Sequence, residues 1–359
     1  MAYHHAMSTT SLKGANRPID LRSDTVTQPT AAMLDAMMKA ELGDDVYGDD
    51  PTTNRLEEQA AEKLGKEAGL LLTSGTQSNL AAVMAQCQRG EEYIIGINYH
   101  IFTDEAGGSM ILGSAVPAPL PVDSRGALSP AAVVAAIKPD DFHHPVTRLL
   151  CIENTVRGMP QSLSYMDSMA ETAHANGLRL HLDGARLFNA AIALGTDPAR
   201  LVAGCDTVSI CLSKGLGTPA GSILVGDSKT IGKARRIRKM LGGGMRQSGI
   251  IAAAGIHALE HHVERLAEDH TLARYLAEGL ESVDSITIHH DRLATNMVFV
   301  SLEKDGQVWP EARIRALGRH FNEAGIIVNL AADMRLVTHL DLDQTAIDRV
   351  IESFAGFTV

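Results

Sequence analysis

A lysine delivered by an apolar strand to a glycine turn is the first chemically suggestive feature of this 359-residue chain. Within DTVSICLSKGLGTPAGS, Val208, Ile210 and Leu212 alternate and run into Ser213, Lys214 and Gly215, so a half-buried strand would bring one ammonium group to its own end. An ammonium placed there loses hydration and its pKa falls, the condition for an amine nucleophile that forms a Schiff base with an aldehyde. On this segment alone, a surface lysine at a strand end is an equal reading. Asp183, in RLHLDGAR, ends another apolar run, and a buried carboxylate needs a positive or donating partner such as a pyridinium N–H. Ser74, Gly75 and Thr76 follow a third apolar run and open a helical one, so the first amides of a helix would face an anion. A plain helix cap explains that turn equally well by itself. Taken together, a Schiff-base lysine, a ring-nitrogen partner and a phosphate cradle are what pyridoxal phosphate requires.

The elements that must position these groups follow from periodicity. Strands are predicted near Tyr93–Ile97, Arg148–Glu153, Leu178–Asp183 and Thr207–Leu212, spaced by helices at roughly 30-residue intervals, the pattern of βαβ units on a mainly parallel sheet. His100, Glu153, Asp183 and Lys214 each follow such a strand, and open α/β sheets bind ligands at the carboxyl ends of their strands. Helices are expected after Thr30, over Thr53–Leu64, from Asn79 to Cys87, after Ser129-Pro130 and up to Asn176-Gly177. Ser23, Asp24 and Tyr47 fall on segments expected to be irregular, where function and simple loop polarity compete.

Composition sets the outer bounds. Apolar residues make up 45% of the chain and charged ones 21%, enough for a large core and a prior of about two domains. A net charge of -11 argues against nucleic-acid and anionic-membrane partners, since the one dense basic run is Lys233–Lys239. Cys87, Cys151, Cys205 and Cys211 lack CxxC spacing and are expected to be reduced core residues of a cytoplasmic protein, without a disulfide framework or a metal site. No apolar run reaches the roughly 20 residues that a membrane span needs, and residues 1–17, with His4 and His5, read as an unstructured leader.

The motifs DLRSDTVTQPT, GDDVYGDDPTTN, SGTQSN, LHLDGARLFNA, SICLSKGLGTPAGS, RKMLGGGMRQSG and RLVTHLD, in order from about Ile19 to Asp343, resemble the low-specificity L-threonine aldolases of the β-eliminating lyase family. That resemblance implies a fold type I pyridoxal-phosphate enzyme: a large α/β domain with a mainly parallel sheet over residues 18–265, and a smaller α+β domain over residues 266–359. It also implies a homotetramer, a dimer of dimers with active sites shared between subunits. By motif, Lys214 resembles the cofactor lysine and Asp183 the ring-nitrogen partner. Gly75 and Thr76 resemble the phosphate site, with Arg246 adding charge from a neighbouring subunit, and His100 resembles the residue stacked on the ring. Ser23, Arg186 and Arg335 resemble the substrate-carboxylate group, Arg186 also lying against the cofactor, with Tyr47 nearby. The activity implied is cleavage of an L-β-hydroxy-α-amino acid to glycine and an aldehyde, with His100 as the base. β-Elimination or dehydration of a β-substituted amino acid is the alternative, and a non-catalytic binding protein is disfavoured because Lys214, Asp183 and both arginines are present.

Two places depart from the family pattern. Where the family usually reads Glu-Asn-Thr-His-Asn, this chain reads ENTVRGMP, with Val156 and Arg157 in the two polar positions and a loop shorter by about two residues. Asp104 occupies a position that is often aromatic. Arg157 therefore joins the candidate substrate-binding residues, as a group that would favour an anionic substrate side chain.

Overall fold

The apolar runs that follow polar turns do form one sheet. The computed structural model describes residues 17–304 and 306–357. Its large sheet contains β1 (Ala68–Leu72), β2 (Glu92–Gly96), β3 (Val116–Leu120), β4 (Thr147–Glu153), β5 (Arg179–Asp183), β6 (Thr207–Cys211) and β7 (Ser222–Gly226). The spatial order is β1-β7-β6-β5-β4-β2-β3. Pairing is parallel from β3 through β6, and β7 runs antiparallel to both β1 and β6. Leu70, Leu71, Leu72, Ile94, Ile95 and Leu149 are fully buried, as expected of strands covered by helices on both faces. Each such side chain contributes about 2 kcal/mol of burial free energy.

The predicted strands recur within one residue at each end. β3 was not predicted: Pro117 and Pro119 break the strand signal, and they are tolerated because β3 is an edge with no second neighbour to receive their missing N–H groups. Helices begin where caps predict. Thr30, Asp50, Ser74 and Ser162 each accept a hydrogen bond from a first-turn amide, and Pro130 occupies the first turn of the Pro130–Ala136 helix. Asn176 and Gly177, the latter at φ +70°, end the Leu163–Ala175 helix. Asp24–Val26, expected to be irregular, is a short 3₁₀ turn capped by Ser23.

A second apolar cluster forms around β8 (Thr287–Ile288), β9 (Met297–Ser301) and β10 (Asp333–Val337), an antiparallel sheet ordered β10-β9-β8. Ile19 and Leu21 pack into this cluster, and Ile19–Asp20 pairs parallel with Ile326–Ile327. The first strand among the described residues is thus held by the chain's last third. Arg17, the final residue of the expected leader, pairs with Asp341 at 3.3 Å, and residues 1–16 lie outside the described residues. All four cysteines are free and buried. Among the described residues, no helix is long and apolar enough to cross a membrane.

Candidate active site

Asp183 is the last residue of β5 and is 2% exposed. Its Oδ2 accepts a hydrogen bond from Asn79 Nδ2 at 2.9 Å and its Oδ1 accepts one from the Ala185 amide at 3.0 Å. Asn79 lies one helical turn after Gly75, so the Gly75–Gln86 helix brings both its open N-terminus and this amide to the same sheet edge. The second N–H of Asn79 donates to Glu105 Oε1 at 2.8 Å, and Glu105 Oε1 in turn meets His100 Nδ1 at 2.8 Å. Ligating atoms of His100, Glu105 and Asp183 consequently lie within 4.8 Å of one another.

The network continues away from the site with one direction of donation. Gln86 donates to Thr207 Oγ1, Thr207 donates to His181 Nδ1 at 2.8 Å, and His181 Nε2 donates to Asn79 Oδ1 at 3.2 Å. Burial pushes the His181 pKa down to about 4, so this imidazole is neutral and its tautomer is set by Thr207 and Asn79. At His100 the hydrogen bond to Glu105 outweighs burial and raises the pKa. Burial raises that of Glu105, with His100 and Asn79 opposing it. Glu153, whose Oε2 accepts from the His100 amide at 2.8 Å, is pushed up by burial and by the charge of Asp183.

Lys214 follows β6, half-buried, in a turn held from two sides. Thr27 donates to its carbonyl at 2.9 Å, and buried His262 donates through Nδ1 to the Leu216 carbonyl at 2.8 Å. Gly215 has no room for a side chain, because a Cβ would stand 2.9 Å from Leu266 Cδ2, and Gly217 takes φ +78°. The lysine's charge is felt at Asp24, His100 and Glu153.

Arg186, at the start of the Leu187–Leu194 helix, is gripped by a buried carboxylate that the sequence marks only as loop polarity. Asp24 accepts from Arg186 Nε at 2.9 Å and from Nη2 at 2.5 Å. Burial alone would raise the Asp24 pKa, but Arg186, with Lys214 and Arg335, brings it down to about 2. The Arg186 fork is therefore oriented before any substrate arrives. Arg335, on β10, is half-buried and its Nη2 reaches the Arg22 carbonyl at 3.4 Å. Ser23 caps the adjoining turn through its hydroxyl.

Three predicted residues are placed elsewhere in the single chain. Arg246 is largely exposed and pairs with Asp44 at 3.0 Å, and Tyr47, on the same loop as Asp44, is 77% exposed. Arg157 is exposed at φ +48°, while Val156 beside it is buried. Asn79, Glu105, His181 and Asp24 are the groups that motif reading did not assign. An asparagine inside an otherwise alanine-rich helix, one turn past a phosphate-type glycine, was the available signal for Asn79.

A phosphorylated pyridine aldehyde fits this edge on the residues' own chemistry. Among the described residues Ser222 Oγ is buried without a hydrogen-bond partner, and it lies 3.6 Å from the point a Cβ on Gly75 would occupy. Beside it, Thr76 and the first amides of a 12-residue helix face outward. A phosphate would satisfy all of these donors, and a ring N–H would complete the hydrogen bonding of Asp183.

The beta-eliminating lyase family model matches residues 20–303. The chain belongs to that family. It is 47% identical over 339 residues to the low specificity L-threonine aldolase of Escherichia coli K12, covering 94% of this chain and 99% of the relative. The probable low-specificity L-threonine aldolase 2 of Arabidopsis thaliana is 42% identical over 346 residues, covering 94% and 96%. Among solved structures, the Leishmania major threonine aldolase superposes with a TM-score of 0.78 at 23% identity, covering 94% of this chain and 98% of that one. The Sphingomonas wittichii serine palmitoyltransferase superposes at 0.72 and 17%, covering 94% and 86%. The fold expected from the motifs, a type I architecture with a mainly parallel sheet, is the fold observed.

Proposed function

We propose that the chain binds pyridoxal phosphate at this edge and cleaves L-β-hydroxy-α-amino acids, of which threonine is the simplest test, to glycine and an aldehyde. The observation that carries the reading is the convergence of Lys214, buried Asp183, His100 and the Gly75 helix terminus on one side of the sheet. Bound there, the cofactor would serve as the electron sink for the pair released at Cα.

The chain's own residues divide the remaining work. Lys214 would be the residue that holds the cofactor, through its aldehyde carbon. Asp183, fixed by Asn79 and Ala185, would keep a proton on the ring nitrogen, and Gly75, Thr76 and Ser222 would hold the phosphate. Arg186, pre-oriented by Asp24, and Arg335 grip the substrate carboxylate, with Ser23 beside them, as suits the planar guanidinium fork. His100 takes the proton of the β-hydroxyl, and the Cα–Cβ electron pair leaves toward Cα as the carbonyl forms on Cβ. Arg246 and Tyr47 complete the site of a neighbouring copy, a reading supported by their exposure on one loop pair. We place the enzyme in the cytoplasm as a homo-oligomer. Its small domain extends over residues 266–359, and the rest of the chain from residue 18 forms the large one.

Mass balance on purified, cofactor-loaded protein tests the reading. Incubation with threonine should yield equimolar glycine and acetaldehyde, and Lys214→Ala should abolish both the turnover and the covalent link. Ammonia with a 2-oxo acid as the main products would instead establish elimination.

A further inference from the structure

The loop that departs from the family pattern ends in a cationic cleft. Arg157, Arg292 and Arg335 line a cleft of about 370 Å³ together with His289, Phe299 and Asp333. Three elements supply the guanidinium groups: the ENTVRGMP loop, the turn before β9, and β10. Arg292 lies over the Phe299 ring, 3.6 Å from its centroid, and Phe299 is the cross-strand partner of Arg335. The stack holds Arg292 in place beside β10. Val156 is buried, and the backbone reversal at φ +48° turns Arg157 outward rather than into the core.

Among the described residues one carboxylate lines the cleft, and Asp291 also acts on Arg292. Asp333 is the carboxylate in its lining, and it already accepts from Ser301 Oγ at 2.5 Å, with Ser301 also held by His289 Nε2 at 2.7 Å. Burial and then the charge of Arg157 lower the Arg292 pKa against Asp291 and Asp333, while burial, Arg186 and Arg157 lower that of Arg335 against Asp24. Arg335 also feels Asp24 and Arg186, which makes it the member common to the cleft and to the α-carboxylate site.

We infer that this cleft is a second anion subsite, formed by Arg157 and Arg292, for a carboxylate carried on the substrate's Cβ. The inference rests on the aldolase reading above and names its substrate class: β-hydroxy-α-amino diacids, of which 3-hydroxyaspartate is the shortest. The reaction balances without a co-reactant. The β-hydroxyl loses its proton, the Cα–Cβ bond breaks with its electron pair going to Cα, Cα is reprotonated to give glycine, and Cβ leaves as the aldehyde carbon of glyoxylate. Arg157 and Arg292 neutralise the second carboxylate, which a pocket without them would have to desolvate unpaired.

The test measures kcat/KM for 3-hydroxyaspartate and for threonine in cofactor-loaded native protein, Arg157→Gln and Arg292→Gln. It also measures calorimetric binding of succinate and of propionate. The expected result is a fall of about 10- to 100-fold in the hydroxyaspartate-to-threonine ratio for each variant, the size of a lost charge-assisted hydrogen bond. Succinate should bind more tightly than propionate to native protein, and the variants should lose that preference. Arg157→Lys should recover part of both. An unchanged ratio in both variants, or equal affinities for the two acids in native protein, would overturn the subsite while leaving threonine cleavage standing. Glycine from threonine but not from 3-hydroxyaspartate would likewise overturn the subsite, whereas absence of glycine from both amino acids would remove the aldolase reading on which it rests.

Discussion

Glu105 and Asp24 are the residues on which the chemistry of the site turns, although neither is assigned to touch substrate. Glu105 accepts from His100 Nδ1, and this hydrogen bond is the largest cause of the raised His100 pKa. A base must be unprotonated to act, so activity should fall as pH drops through a value above the ordinary 6.5 of histidine. In Glu105→Gln the acceptor charge is lost, the His100 pKa returns toward its ordinary value, and the acid limb of kcat/KM for threonine should move to lower pH. A limb that stays in place would assign the proton transfer to another group. Asp24 has a folded pKa of about 2 against an ordinary 3.8, so its contribution is present above about pH 4 and is lost as pH falls toward 2. That contribution is about 2 kcal/mol at neutral pH. Asp24→Asn goes further, because it leaves the nearly buried Arg186 charge without its partner, and should cost about 3 to 5 kcal/mol. Urea unfolding of the cofactor-free protein at pH 7 should therefore show a markedly lower midpoint than native. A midpoint within error of native would mean that the pair is not coupled to folding.

At the scale of elements, the decisive piece is the Gly75–Gln86 helix, which carries a phosphate-type terminus and Asn79 on adjoining turns. Ser74 accepts from the Gln77 amide at 3.2 Å, and Gln77 Oε1 returns to accept from the Thr73 amide at 3.1 Å. The helix start is thus shaped before any anion binds. Ser74→Ala should cost about 1 kcal/mol of stability through the lost cap. Because the same turn orients the Gly75 and Thr76 amides, cofactor affinity, read by equilibrium dialysis, should fall as well. Loss of stability with unchanged affinity would separate the cap from the phosphate site. The strands contribute differently: β4 and β5 stop in register, with Glu153 opposite Asp183, while β6 continues two residues past Ser209, the partner of Asp183, to Cys211, which carries Lys214 beyond that edge.

For the whole molecule, seven exposed apolar side chains fall on a few neighbouring elements. Leu34 and Met38 on the Ala31–Met38 helix, Leu42, Val46 and Tyr47 on the following loop, and Met240 and Ile250 near Arg246 are all at least 39% exposed. The loop is fastened to that region by Arg238 bonding to Asp45 and by the Asp45 amide donating to the Arg246 carbonyl. On the homo-oligomer proposed above, apolar side chains exposed together are where a second copy would pack. Met38→Asp, at a position 86% exposed, should leave the chain folded but shift sedimentation toward a smaller species and reduce turnover. Native-sized particles with native activity would place the interface elsewhere. Mixing Lys214→Ala with Arg246→Ala protein and reassembling them should restore part of the lost activity, since each hybrid dimer would then contain one intact site. Hybrids that form without recovery would show that Arg246 acts within its own chain.

Local pattern picked out the residues proposed here to do the chemistry. Lys214, Asp183, His100 and Gly75 follow or open elements whose periodicity, caps and glycine turns are set by neighbours a few residues away, and each lies where that pattern puts it. Composition likewise anticipated buried, unpaired cysteines, because small apolar side chains within strand and helix runs have no other place to go. Tertiary structure alone decided what those residues touch. The Asn79–Asp183 bond spans 104 positions and the Asp24–Arg186 pair spans 162, distances over which no local periodicity carries information. The edge strand β3 and the antiparallel insertion of β7 between β1 and β6 arose in the same way. The convergence of Arg157, Arg292 and Arg335 is the clearest case: the sequence singles out Arg157 and Arg335 separately and Arg292 not at all, and the three become one cleft only when β9, β10 and the loop after β4 pack together.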